Sequence, residues 1–239
     1  MSQVLSHAGL RVGGLTSLTT IDFPGHLAAV IFMQGCPWRC RYCHNWPLLD
    51  PFGETAIQWL DIMDFLARRR EFLDGVVFSG GEPTLWQELP EHINQVAELD
   101  YKVALHTNGA FPERLQRLLD EGLLDWVALD IKAPFDSYGK ICGDCAGGEF
   151  VRKSAEILIQ SGIPCEFRTT VHPDLLSIDD VLTIARVISG MGVRRYVIQK
   201  CRLEYCLDPA LRKTSVDIDR YFIDLKEEFQ KQFSSIEIR

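Results

Sequence analysis

Six short apolar runs recur along this 239-residue chain, and each is followed by a stretch with helical periodicity. The runs are Ala28 to Gln34, Val76 to Ser79, Lys102 to His106, Trp126 to Ile131, Cys165 to Val171 and Arg195 to Gln199. At four to seven residues, rich in Val, Ile and Phe, they have the length and composition of strands buried on both faces of a parallel sheet. The stretches between them read as amphipathic helices. Thr55 to Arg70 places Ile57, Leu60, Met63 and Leu66 on roughly one face and ends on Arg68-Arg69-Arg70, which suits the negative end of a helix dipole. Trp86 to Leu99, Pro112 to Glu121, Glu149 to Gln160, Ile178 to Ile188 and Val216 to Phe229 are the others. Pro112 opens one of them, and Gly122, Gly162 and Gly190 follow three.

Strand–helix alternation of this kind implies right-handed βαβ units and a parallel sheet. Six units are too few to close an eight-fold barrel. The expected fold is therefore α/β, a partial (β/α)6 TIM-like barrel with an open parallel arc and outer helices. One domain over residues 1–239 is expected, with an N-terminal extension at 1–27 and a core at 28–230. In such barrels chemistry sits at the carboxyl ends of the strands.

A formal charge of −8 argues against nonspecific attraction to nucleic acid or to an anionic membrane surface. The start, MSQVLSHAGLRVGG, lacks the charged-then-apolar pattern of an export signal, so a cytoplasmic location is expected. Eight cysteines in a reducing compartment point to metal or redox chemistry rather than to disulfides.

Three of those cysteines, Cys36, Cys40 and Cys43, follow the first strand with C-x₃-C-x₂-C spacing. Thiolates this close on a loop can converge on one metal centre, and soft sulfur selects zinc or iron–sulfur. Zinc calls for a fourth ligand; His44 is at hand, but its place next to Cys43 makes it awkward. Three inert core cysteines are a poor alternative, because Pro37, Arg39 and Arg41 between them do not look like core. Further strand ends carry SGGEP (Ser79 to Pro83), HTNG (His106 to Gly109), DIK (Asp130 to Lys132) and FRTTVHP (Phe167 to Pro173). Paired glycines let backbone approach a ligand closely, although alone they signify only a turn. Asp130 and Lys132, two apart, face the same side of a continuing strand.

With Tyr42 before its last cysteine, C-x₃-C-x₂-C resembles the cluster loop of the radical S-adenosylmethionine enzymes. The resemblance implies that Cys36, Cys40 and Cys43 hold a [4Fe-4S] cluster whose fourth iron is left for S-adenosylmethionine, so that the missing ligand is the cosubstrate. SGGEP one unit later resembles the family's Gly-Gly-Glu element. Cosubstrate contacts are thereby expected from Tyr42, His44, Gly80, Gly81, Glu82, Thr107, Asn108, Asp130, Lys132 and Arg168. Asp130 would face the methionine amino group and Lys132 the carboxylate. Arg168 could equally be a paired ion of the barrel interior. Gln199 and Lys200 stand where some relatives carry a ribose-contacting histidine.

GLTSLTTIDFPGHLAAVIFMQGCPWRCRYCHN is similar to the start of activating proteins for anaerobic ribonucleoside-triphosphate reductase. It implies a radical enzyme that generates a glycyl radical on that partner and takes electrons from a flavodoxin or ferredoxin, with Arg39 and Arg41 as a possible docking patch. Another glycyl-radical partner of pyruvate formate-lyase type, a small-molecule reaction of the 7-carboxy-7-deazaguanine synthase type, and a non-enzymatic zinc-binding interaction module are the alternatives. Cys142, Cys145, Cys201 and Cys206 fall at the same barrel end and suggest a second metal site; Cys165, within a strand, is expected in the core.

Overall fold

All six apolar runs are strands in the computed structural model, which describes residues 9–54, 57–144, 146–231, 233 and 237–239. They are β2 (Ala28–Met33), β3 (Gly75–Gly80), β4 (Lys102–Thr107), β5 (Trp126–Asp130), β6 (Cys165–Val171) and β7 (Tyr196–Lys200), flanked by β1 (Val12–Thr19) and β8 (Glu237–Ile238). The sheet runs β1 to β8 in chain order. Only the β1–β2 pair is antiparallel; the rest are parallel, as βαβ crossovers require.

The two flanking strands were not expected. β1 contains Gly13 and Gly14, alternates poorly between buried and exposed positions, and pairs with two register shifts, so no period of two survives in its sequence. β8 has two residues. It is held through the neighbouring Arg239, whose guanidinium donates to both Glu166 oxygens at 3.1 and 3.0 Å.

The outer helices are α1 (Trp59–Ala67), α2 (Leu89–Ala97), α3 (Pro112–Asp120), α4 (Gly139–Cys142), α5 (Gly147–Ser161), α6 (Ile178–Gly190) and α7 (Ile218–Gln230). The first is shorter than its periodicity suggests, and Thr55 and Ala56 of the expected span lie outside the described residues. The second begins at Leu89 rather than Trp86 because Trp86 is extended where it ends the preceding 3₁₀ turn, Pro83–Leu85, in which the Glu82 carboxylate accepts from Thr84 N. Cys142 closes the one-turn α4, which ends on left-handed Gly143, rather than sitting in an open loop.

Side chains alternate across the strands, giving two apolar layers. The larger packs the sheet against the helices through residues such as Ile31, Phe78, Leu105, Leu129 and Phe167. The inner layer is built from small residues, Ala28, Val30, Val77, Ala104 and Ala128, and is plugged by Phe23 and Trp126. This dry floor fills the lower part of the arc. Polar residues follow on the same face at the carboxyl ends, where the interior opens.

Candidate active site

A cavity of about 350 Å³ opens at the carboxyl ends of β2 to β7. That volume lies in the range of small-molecule and cofactor sites. Cys36, Cys40 and Cys43 line one wall, on the loop leaving β2. Backbone bonds hold that loop on two sides: Gly35 N and Cys36 N donate to Leu48 O and Leu49 O, while Arg39 N and Arg41 N donate to Cys142 O and Ile141 O of α4. The loop turns at Gly35, whose φ of 91° lies in the left-handed region, where a side chain would run into Leu85 and Pro51.

Cys36 and Cys40 are buried and Cys43 is half-buried. Burial pushes all three thiols up, Cys40 to about 12, and the nearby Lys132 ammonium opposes the shift. Among the described residues, one trio of Cys, His or acidic side chains has ligand atoms all within 4.8 Å of one another, and it is not this one. Two thiolates on one tetrahedral zinc stand about 3.8 Å apart, given Zn–S bonds of about 2.3 Å. The loop cysteines are therefore spread too widely for a single ion. Such a spread suits a cluster in which each thiolate takes a different iron, and Lys132 supplies a cation beside the anionic sulfurs.

The Gly-Gly-Glu turn braces this loop from below. A methyl on Gly80 would strike the Met33 backbone, and one on Gly81 the Gly35 carbonyl. That close fit is sealed by Gly81 N donating to Met33 O at 2.9 Å and Glu82 N to Gly35 O at 2.8 Å. The Glu82 carboxylate is fully buried and does not line the cavity. One oxygen accepts from Thr84 N, Thr84 Oγ1 and Thr107 Oγ1, the other from Asn108 N. Burial raises its pKa against these four donors. Its carboxylate thus ties the β3 and β4 ends together, and it is the Gly80 and Gly81 backbone that faces the open space. Asn108 Nδ2 in turn reaches Cys36 Sγ at 3.5 Å.

A charged triad lines the same cavity. Asp130 accepts from Arg168 Nε on one oxygen at 3.1 Å and sits 3.4 Å from Lys132 Nζ on the other. Burial alone would push the Asp130 carboxyl up, but the two cations outweigh it and hold it below the usual carboxylate range. Lys132 Nζ also lies over the Tyr42 ring, 5.8 Å from its centroid. His106 Nε2 meets the Asp22 carbonyl at 2.8 Å and its Nδ1 meets Arg168 Nη1 at 3.5 Å. Burial and the Arg168 charge lower its pKa to about 3, so the ring is neutral, with its proton on Nε2 for Asp22.

The cavity brings together Tyr42, His44, Gly80, Gly81, Thr107, Asn108, Asp130, Lys132 and Arg168 with the three cysteines, and leaves Glu82 behind its wall. Gln199 lines it as well. Lys200 does not; its ammonium lies over Phe222. Sequence reasoning missed Asn45, whose Nδ2 donates to Gly80 O at 3.1 Å, as well as Trp38, His106 and Thr170. The signal was partly there: His106 is in step with Ala104 on β4, and Thr170 is in step with Arg168 on β6.

Of the four cysteines suggested for a second metal site, Cys201 and Cys206 lie together. Cys142 is packed under α5 with its thiol donating to Tyr138 O, and stands outside the trio that contains Cys201 and Cys206; Cys145 lies outside the described residues. The third member of that trio is His44, which a one-dimensional reading assigned to the cosubstrate. Cys165 is half-buried and packs against the helix-side core.

Residues 30–194 match the family model of the radical SAM superfamily, and the chain belongs to that superfamily. The fold agrees: SuiB of Streptococcus suis, bound to its precursor peptide SuiA, superposes with a TM-score of 0.67 at 15% identity over 88% of this chain and 48% of that one. The chain is thus about half the length of SuiB. A structure of anSMEcpe with bound AdoMet gives 0.61 at 19% identity over 86% and 62%.

Within the superfamily the chain falls among the activating enzymes of glycyl-radical enzymes. It is 31% identical to MJ1227 of Methanocaldococcus jannaschii, provisionally named a glycyl-radical enzyme activating enzyme, over 95% of both chains. It is 27% identical to the pyruvate formate-lyase-activating enzyme of Clostridium pasteurianum over 82% of this chain and 89% of that one. The protein is an enzyme of this kind, with a [4Fe-4S] cluster and S-adenosylmethionine as its cofactors. No helix among the described residues is long and apolar enough to cross a membrane.

Proposed function

We propose that this chain installs a glycyl radical on an anaerobic ribonucleoside-triphosphate reductase. Cys36, Cys40 and Cys43 would hold the cluster, and the Gly80–Gly81 backbone, Tyr42, Thr107, Asn108, Asp130, Lys132 and Arg168 would receive the cosubstrate. When bound and given one electron, the pair supplies a 5′-deoxyadenosyl radical by scission of a carbon–sulfur bond, leaving methionine. The chain's own part is to bind, orient and exclude water. Lys132 and Arg168 bring two cations to the cavity wall for a carboxylate-bearing ligand, and Asp130 is the anion that faces an ammonium. The dry inner layer below the cavity keeps water away from that floor.

The observation carrying this reading is the joint placement of three cysteines, too widely spread for a single ion, and the Asp130–Lys132–Arg168 triad in the lining of one cavity. That arrangement supports radical chemistry over a zinc-binding module. The partner rests on the similarity of residues 14–45 to reductase-activating proteins. The likeness to pyruvate formate-lyase-activating enzymes supports a second reading, in which the partner is of that type.

The donor is proposed to be an acidic flavodoxin or ferredoxin docking at Arg39 and Arg41. Both are exposed beside the cysteine loop, although Arg41 is already paired with Asp208 at 2.9 Å. The test is to incubate reconstituted, reduced enzyme and S-adenosylmethionine anaerobically with each candidate partner, then record electron paramagnetic resonance. A glycyl doublet on the reductase supports the first reading. A doublet on the formate-lyase type alone selects the second, and none on either overturns both.

A further inference from the structure

His44, Cys201 and Cys206 form a compact trio at the rim of the cavity, outside the three-cysteine wall. Cys201 Sγ stands 3.6 Å from Cys206 Sγ and 3.5 Å from His44 Nε2, and all three donor atoms lie within 4.8 Å of one another. Two thiolates and an imidazole on one tetrahedral zinc, with bonds of about 2.3 and 2.0 Å, require S···S of about 3.8 Å and S···N of about 3.5 Å. The Cys201–Cys206 and Cys201–His44 separations come within a few tenths of an ångström of those values. A disulfide, by contrast, needs sulfurs about 2.05 Å apart.

The sequence brings these groups from opposite ends of the arc. His44 is on the loop after β2, the first strand of the parallel set, and Cys201 and Cys206 are on the segment after β7, its sixth. The two segments are already docked: Asp208 N donates to Arg41 O at 2.9 Å, and the Arg41 guanidinium pairs with the Asp208 carboxylate. Tyr205 sets its ring edge-on to His44, with centroids 6.3 Å apart. The trio is therefore part of a seam that joins the cluster loop to the far rim, built from soft and borderline donors that favour a zinc-class ion over magnesium or calcium.

We propose that His44 Nε2, Cys201 Sγ and Cys206 Sγ bind one zinc-class divalent ion, separate from the iron–sulfur centre, which clasps the β2 loop to the β7 segment. Three protein donors leave one tetrahedral position for water or another exogenous ligand. Binding displaces the two thiol protons to solvent and changes no oxidation state. His44 then serves the rim and is not free for the cosubstrate.

The test uses the full chain with its iron–sulfur centre reconstituted, given zinc chloride and then desalted. Elemental analysis is expected to find one zinc beside about four irons per chain. Zinc-edge X-ray absorption is expected to show two sulfur and two nitrogen or oxygen neighbours. In the Cys201→Ala/Cys206→Ala variant the zinc falls at least tenfold while iron is retained. Absence of zinc from the wild type, equal zinc in the double variant, or a shell of three sulfurs overturns the proposal, the last because it places zinc on Cys36, Cys40 and Cys43. The absorption measurement on the wild type decides the matter even if the variant does not fold. Failure of radical chemistry shows in nucleoside release and leaves the zinc count untouched, so the two readings fail separately.

Discussion

Asp130 and Arg168 are register partners on adjacent parallel strands and are also joined by a 3.1 Å ion pair, so that β5 and β6 are stitched together by backbone and side chain at the same level. Arg168 is 9% exposed at its side chain, Lys132 11% and Asp130 32%. Neutralising the carboxylate leaves two nearly buried cations without their anion. Asp130→Asn is expected to cost about 1–3 kcal/mol, below the range for fully buried pairs because solvent still reaches the carboxylate. Denaturant unfolding at pH 7 measures it. The depressed native pKa places this contribution above the ordinary carboxylate pKa of about 3.9, and it is lost as pH falls through the lower native value. Wild type and variant should therefore differ fully at neutral pH and converge only in strong acid.

His106 carries a dependence of the same sign in a higher pH window. Its native pKa of about 3 lies below the unfolded value, so between those limits the unfolded chain binds the extra proton and native stability falls as the solution is acidified. The slope for one such group approaches about 1.4 kcal/mol per pH unit below pH 6.5. His44, also lowered by burial, adds to it with the same sign. Replacing His106 with Gln should flatten the loss between pH 7 and 5.5, read from denaturation midpoints at the two pH values. An unchanged slope would show that the ring titrates normally.

Gly81 leaves no room for a side chain beneath the cysteine loop. The Gly81→Ala methyl lands on the Gly35 carbonyl, which is backbone and cannot rotate away. Overpacking of this kind costs about 1–3 kcal/mol. The displaced segment carries Cys36, so iron bound per chain after reconstitution should fall as well. Full iron loading with unchanged stability would mean that the turn does not brace the cluster loop.

Arg39 is exposed, and its guanidinium donates to the Cys36 and Trp38 carbonyls. Arg39→Glu is expected to slow reduction by flavodoxin or ferredoxin at least tenfold at low salt, with reduction by dithionite unaffected and the difference shrinking as salt is added. Equal slowing with both reductants would assign the residue to the loop's structure rather than to docking.

Periodicity exposed the parallel set because those strands are buried on both faces and keep uninterrupted apolar runs. It missed β1, where Gly13, Gly14 and two register shifts erase alternation, and β8, too short to carry a pattern. The site was legible where chemistry is local, as in Cys36 to Cys43, and at strand ends such as Asp130 and Lys132, two apart and so on one face by strand parity. Orientation was not legible. Glu82 turns inward because four donors from two strand ends wait for it there, and His44 turns to Cys201 across 157 positions of sequence.

The account stands on Cys36, Cys40 and Cys43 holding a cluster that breaks S-adenosylmethionine. The direct measurement is 5′-deoxyadenosine released per chain by reduced, anaerobic wild type and by Cys40→Ser, each with its iron counted. The wild type should release the nucleoside and methionine in equal amounts, and the variant at least a hundredfold less with iron lost. Equal release by the variant, or none from a wild type loaded with about four irons, contradicts it.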